Sequence, residues 1–215
     1  MNKVYEYIIS EYGYDEPVFT KELKKALDME MSDVTLRQNL KRLADKGLLV
    51  KVSNGIYYVP KKKSILKTPP VNINKVIIRK YIQPNNDQVI GYICGINFAN
   101  QLGATTQTAS ISSIVTNAIG RTNDEVKIGN RIVKLKKARV SVNKKNYKLL
   151  QVLDLLNDYD KISEEPLIRI YRNIFKYLAG TLLTSDEYYE CLLKYPKKAR
   201  IRAEELRLKD AITQG

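Results

Sequence analysis

The 215-residue chain has no histidine, no tryptophan and only two cysteines, Cys94 and Cys191. The missing histidine excludes imidazole acid–base chemistry, Ser-His-Asp and Cys-His nucleophile systems, HExxH zinc and every Cys2His2 site together. Two widely separated cysteines supply neither a zinc site nor a disulfide framework, and a reducing cytosol is the expected setting. No apolar run reaches the ~18 residues that read as a membrane span. Met1 to Ser10 contains Glu6 and lacks a basic stretch leading into an apolar one, so neither a span nor a secretory signal is expected. The glycine patterns GxxxxGKS, GxGxxG and GxSxG are missing as well. What remains is a chain 44% hydrophobic and 28% charged, enough apolar material for a packed core.

Acidic residues are scarce in one place only. Residues 1–60 hold nine Lys and Arg against nine Asp and Glu, and residues 151–215 hold eleven of each. Residues 61–150 hold seventeen Lys and Arg against Asp87, Asp124 and Glu125, so the chain's whole excess of +14 belongs to the middle. Concentrated positive charge repels itself and draws polyanions. Two readings stand: a solvated basic surface, or contact with nucleic acid or an acidic partner.

In the first sixty residues Val4, Ile8, Ile9 and Tyr12 recur at helical spacing before Gly13. Glu16 to Phe19 is extended, since a residue before proline is pushed out of the helical region. Thr20 is expected to cap a second helix with Leu23, Ala26 and Leu27 inside. Ser32 is expected to cap a third, with Leu36, Leu40 and Leu43 as its buried stripe and Gly47 past its end. The period then changes to a hairpin, residues 48–52 and 56–59, around Asn54-Gly55. Three helices followed by a hairpin describe a winged helix-turn-helix over residues 1–60. At about 100° per residue, Gln38 and Lys41 lie opposite the leucines, with Thr35, Arg37 and Arg42 on the shoulders. Such side chains suit base edges and phosphates in a major groove. Lys51, Ser53 and Asn54 fall on the wing, and Lys61, Lys62 and Lys63 extend it into a basic linker over 61–72.

Three stretches resemble one bacterial family, the AbiEi-like antitoxins of type IV toxin–antitoxin systems. They are Asn54-Gly55-Ile56-Tyr57-Tyr58-Val59-Pro60-Lys61, the run from Ile96 to Gln107 containing Ala99-Asn100-Gln101-Leu102-Gly103-Ala104-Thr105-Thr106-Gln107, and Tyr195-Pro196-Lys197-Lys198-Ala199-Arg200-Ile201-Arg202-Ala203. Ala104 and Lys198 depart from that family's leucine and arginine. The resemblance implies a DNA-binding winged helix that represses its own operon promoter. It also implies a C-terminal domain that counteracts a co-encoded nucleotidyltransferase-like toxin in phage defence.

The rest of the chain, 73–215, reads as an α+β domain. Helix is expected over Ile73–Tyr81 and 97–102, and strand over Val89–Ile93, Ser110–Thr116 and Ala138–Val142. A hairpin is expected over 126–135 around Gly129-Asn130. Further helices are expected over 147–157, 164–179, 185–194 and 197–212. On the hairpin Lys127, Arg131, Lys134 and Lys136 are expected to share the solvent side. With Lys137, Arg139, Lys144, Lys145 and Lys148 they make a candidate basic surface for DNA or the toxin. Tyr81, Tyr92 and Tyr147 interleave with it, as stacking platforms or as core. Asp158-Tyr159-Asp160 has the spacing of a two-carboxylate metal motif but lacks a phosphate-holding Gly-Ser element before it, so both are expected as loop carboxylates. No catalytic residue, metal or cofactor is expected. A cytoplasmic antitoxin and repressor is one functional reading. A winged-helix adaptor that binds a partner protein or RNA through the basic middle is the other.

Overall fold

The structure, a computed structural model, describes residues 2–27, 31–61 and 71–212. Most of the expected linker, including Lys62, Lys63 and Pro69-Pro70, lies outside these residues. By contacts the chain divides into two compact units, Met1–Ile77 with Lys127–Arg131, and Ile78–Val126 with Ile132–Gly215.

The first unit opens with α1 (Lys3–Glu11), whose Asn2 cap accepts from the Val4 amide at 2.9 Å. Then come β1 (Val18–Phe19), α2 (Thr20–Leu27), α3 (Asp33–Asp45), β2 (Val50–Ser53) and β3 (Ile56–Tyr58). Val4, Ile8, Val18, Leu23, Leu27, Leu36, Leu40 and Leu43 meet in one core. Ser32 caps α3, its Oγ accepting from the Thr35 amide at 3.2 Å. Gly47, at φ +69°, takes the left-handed turn that sends the chain from α3 into the sheet. The strands form an antiparallel sheet in the order β1-β3-β2. Two expectations are corrected. Thr20 is the first residue of α2 rather than its cap, and its amide donates to the Gly55 carbonyl at 2.9 Å. Ala26 is exposed, since Leu23 and Leu27, four apart, already define the inward stripe.

The helix α4 (Ile73–Tyr81) runs through the division between the units. It is followed by β4 (Gly91–Cys94), α5 (Ile96–Gln101), β5 (Ser112–Thr116), β6 (Asn123–Ile128) and β7 (Arg131–Lys137). The helical end comprises α6 (Tyr147–Ile162), α7 (Leu167–Leu178), α8 (Ser185–Leu193), α9 (Lys197–Glu205) and α10 (Leu208–Ile212). The fold is mixed α+β. Its second sheet has the order β4-β5-β7-β6, with β5 antiparallel to β4 and parallel to β7. In the register Tyr92, Val115 and Lys136 form one cross-strand row, and Ile93, Ile114 and Leu135 form the next. Adjacent rows point to opposite faces. Tyr92, Cys94 and Val115 share a core with α6, whose Leu149, Leu150, Val152, Leu153, Leu155 and Leu156 are all buried.

Several expected elements are redrawn. Residues 138–142 form no strand: the Asn117 side chain donates to the Val142 carbonyl at 2.8 Å and accepts from its amide at 3.0 Å, satisfying the backbone that a partner strand would have paired. α6 runs on to Ile162, so Asp158 and Asp160 are helical residues rather than loop carboxylates. The expected helix over 197–212 breaks between α9 and α10, where Arg207 has φ +52°.

The two later family-like stretches act as joints. The Ala104 carbonyl accepts from the Glu164 amide at 2.8 Å and the Ser163 hydroxyl at 3.0 Å. The Glu164 carboxylate in turn accepts from the Thr106 amide and the Gln107 side chain, both at 2.8 Å, and these bonds hold it down at about 2. Tyr195 is buried and donates to the Leu150 carbonyl at 3.1 Å. Ala199 and Ala203 let α9 lie close against α6, and Arg202 donates to the Leu156 carbonyl at 2.7 Å and pairs with Asp160.

Gly91 has no room for a side chain: a Cβ there would run into the Tyr81 and Val115 carbonyl oxygens, both backbone. Gly91→Ala is expected to destabilise by about 1–3 kcal/mol or more, read as a lowered urea midpoint. An unchanged midpoint would refute this close approach.

Candidate nucleic-acid interface

The α3 face opposite the leucines is polar and open. Thr35, Arg37, Gln38, Lys41 and Arg42 are all exposed, while Leu36, Leu40 and Leu43 are buried. Thr35 is tied into the cap, its Oγ1 sharing a hydrogen bond with Ser32 Oγ at 2.9 Å. Val34, 64% exposed, belongs to this surface too. Sequence reasoning passed it over because it seeks apolar residues inside, yet an exposed apolar group in this position suits a thymine methyl. Lys24 pairs with Asp33 at 2.7 Å, while Lys21 and Lys25 of α2 are exposed.

On the hairpin Lys51 and Asn54 are exposed, but Ser53 is not available. The β2–β3 register shifts between Lys51 and Ser53 and sets Ser53 opposite buried Ile56. The extra residue breaks the alternation that would have placed Ser53 beside Lys51, and the Ser53 hydroxyl is covered with no partner among the described residues. Lys61 is exposed, its amide fixed to Asp15 Oδ1 at 3.3 Å. Lys62 and Lys63 lie outside the described residues.

The middle cations do not gather at one place. Lys127 and Arg131 flank the β6–β7 turn, where Arg131 donates to Asn74 Oδ1 at 2.6 Å. Val133 and Leu135 are buried, so alternation sets Arg131 on their face and Lys134 and Lys136 on the other, contrary to the expectation of one shared side. Lys144 lines a separate hollow with Tyr92, Tyr147 and Ile78. Lys145 pairs with Glu187 at 3.7 Å. Lys148 is spent on the Ala179 carbonyl at 3.2 Å and the Tyr177 ring. Tyr81 and Tyr92 are core residues, with Tyr147 partly buried.

Lys136, Lys137 and Arg139 do converge, on a cleft of about 400 Å³ completed by Val115, Thr122, Asn123, Ala138 and three α6 residues, Asp154, Asn157 and Asp158. It exists because α6 covers β4 and the row Tyr92, Val115, Lys136 continues past it, changing from core to charge. Lys136 lies 3.9 Å from Asp158, and the Arg139 guanidinium covers the Tyr195 ring at 5.6 Å. Tyr92 donates to Asp154 Oδ2 at 2.7 Å. Burial lifts the Asp154 carboxyl to about 6, against the pull of the Tyr92 bond, Arg139 and Lys136. Asp158 and Asp160, two apart on a helix, point to different partners, Lys136 for the first and Lys198 and Arg202 for the second, so they do not act as a metal pair. Both cysteines are buried, and burial raises their thiols to about 12 for Cys94 and about 11 for Cys191.

The folded protein holds the Asp154 proton up to about pH 6, whereas the unfolded chain releases it near the ordinary 3.8. The resulting stabilisation is full below about pH 4 and is lost as pH rises through about 6. Asp154→Asn is expected to flatten the stability–pH profile over this window, measured by urea denaturation at several pH values. A variant with the parent's slope would show that Asp154 does not titrate there.

No curated protein matches the chain. The model of a family described as a family of unknown function, DUF6088, matches residues 23–179. This stretch begins inside α2, ends just past α7, and includes the α3 face, both sheets' hairpins and the cleft, though not the Tyr195–Ala203 joint. With well over half of its length matched, the chain belongs to the DUF6088 family.

Proposed function

We propose that the first unit is a winged helix-turn-helix and that the protein is a DNA-binding repressor, acting as the antitoxin of a type IV toxin–antitoxin system. The observation that carries the DNA-binding reading is the α3 face: five polar or cationic side chains, all exposed, opposite three buried leucines, with a hairpin following directly. In this reading α3 enters the major groove, Gln38 and Arg42 meet base edges, and Lys51, Asn54 and Lys61 meet the sugar–phosphate backbone. The antitoxin part rests on the resemblance of the three stretches. It names the protein's own promoter and a co-encoded nucleotidyltransferase-like toxin as partners, in the cytoplasm. Among the described residues no helix is long and apolar enough to cross a membrane.

The adaptor reading, a partner protein or RNA bound through residues 61–150, is favoured by one observation: the excess charge lies there, while residues 1–60 are neutral. A neutral reader has little long-range attraction beyond a Debye length of ~8 Å.

Gln38→Ala and Arg42→Ala are each expected to weaken operator binding by about 1–3 kcal/mol and relax sequence preference, measured by mobility shift on the DNA upstream of the gene. Equal loss on scrambled DNA would reduce them to phosphate contacts. No loss on either DNA would remove α3 from the interface.

Lys51→Ala is expected to weaken all DNA alike and to shallow the slope of log K against log salt by about one unit. An unchanged slope would exclude a wing that touches phosphate.

A further inference from the structure

We propose that the cleft between the end of β7 and α6 is a nucleotide-binding site, taking a phosphate on Arg139 and Lys136 and an amino-bearing base on Asp154 and Asp158. The site goes beyond operator recognition and does not depend on it.

The two acceptors are built in and incompletely used. Asp154 is half-buried, and Tyr92 fixes its Oδ2, while Oδ1 has no donor among the described residues. A carboxylate has about four acceptor positions, so one hydrogen bond leaves most of its capacity for a ligand. Tyr92 is itself held, lying 3.4 Å from the Tyr195 hydroxyl, which donates to the Leu150 carbonyl. The carboxylate is therefore set by a buried chain of tyrosines rather than by a mobile loop. Asp158 lies one helical turn further along α6, oriented by the Asn157 amide at 2.9 Å. The pair presents two carboxylates on one wall, four residues apart.

Donors face them. Arg139 has its guanidinium on a tyrosine ring, with its planar fork free for a bidentate anion. Lys136 reaches Asp158 only at 3.9 Å, too long for a hydrogen bond. Of the three lining cations, Lys136 and Arg139 balance the two carboxylates, so a plain anion gains little from the inner cleft. Lys137, at the rim on the opposite strand face, tips the mouth positive. A ligand that satisfies both walls must carry an anion at one end and hydrogen-bond donors at the other. A nucleotide does so, and about 400 Å³ lies within the range of small-ligand pockets. Exocyclic amines of adenine, cytosine and guanine donate to carboxylates, and uracil has none.

The experiment uses the full chain and thermal-shift titration with AMP, CMP, GMP and UMP, with inorganic phosphate and free glycine as controls. A saturable rise is expected with amino-bearing nucleotides, and a weaker one with UMP. Arg139→Ala and Asp158→Asn should each weaken binding about tenfold. Both residues lie on the rim, so these variants should fold; each is first checked for the parent's melting temperature without ligand. Gln38→Ala should bind nucleotide like the parent, which separates this site from operator recognition. Parallel titrations with a short single strand and a duplex identify the source: stronger binding of the strand than of the mononucleotide points to an unpaired nucleotide in a chain, and the reverse to a free effector. No saturable shift with any nucleotide would overturn the proposal. So would an equal response to phosphate or glycine, or variants that bind as tightly as the parent.

Discussion

The C-terminal unit depends on one enclosed helix. Along α6, Leu149, Leu150, Gln151, Val152 and Leu153 are buried in succession, so core surrounds the helix instead of one stripe facing it. Enclosure on that scale leaves no water for polar groups, and each one needs a partner. Gln151 donates to the Ile93 carbonyl at 2.6 Å and accepts from the Tyr177 hydroxyl. Tyr159 donates to the Glu165 carbonyl at 2.8 Å. The sheet, α5, α7 and α9 all take their places from α6. The cleft opens where α6 turns from apolar to polar along the side nearest β7.

This arrangement gives the two later family-like stretches a structural meaning. Ala104 to Gln107 locks α5 to the turn between α6 and α7, and Tyr195 to Ala203 seats α9 on α6.

Much of the fold was legible in the sequence. Leu36, Leu40 and Leu43 marked the inner side of α3, Val76, Ile77 and Tyr81 that of α4, and Gly129-Asn130 the tight turn before β7. What escaped depended on distant partners. No local signal says that Asn117 will satisfy Val142 and spare it a strand, or that a register shift will cover Ser53. The candidate site divides the same way. The exposed face of α3 followed from helical angle alone, whereas the convergence of Arg139 with Asp154 requires the parallel pairing of β5 and β7. Lysines counted together along the chain proved to serve different local needs, because sequence distance says nothing about which carbonyl or ring lies nearby.

Burial of both thiols has a chemical consequence. Cys94 sits in the sheet and Cys191 in the helical end, and each is held far from its reactive thiolate form by the surrounding core. Burial and a raised pKa both slow attack by alkylating reagents and mild oxidants at neutral pH. Any uptake of reagent counts moments when the core has opened, and the two positions report on different parts of it. The chain carries its own pair of clocks for local unfolding, one in the sheet and one among the helices.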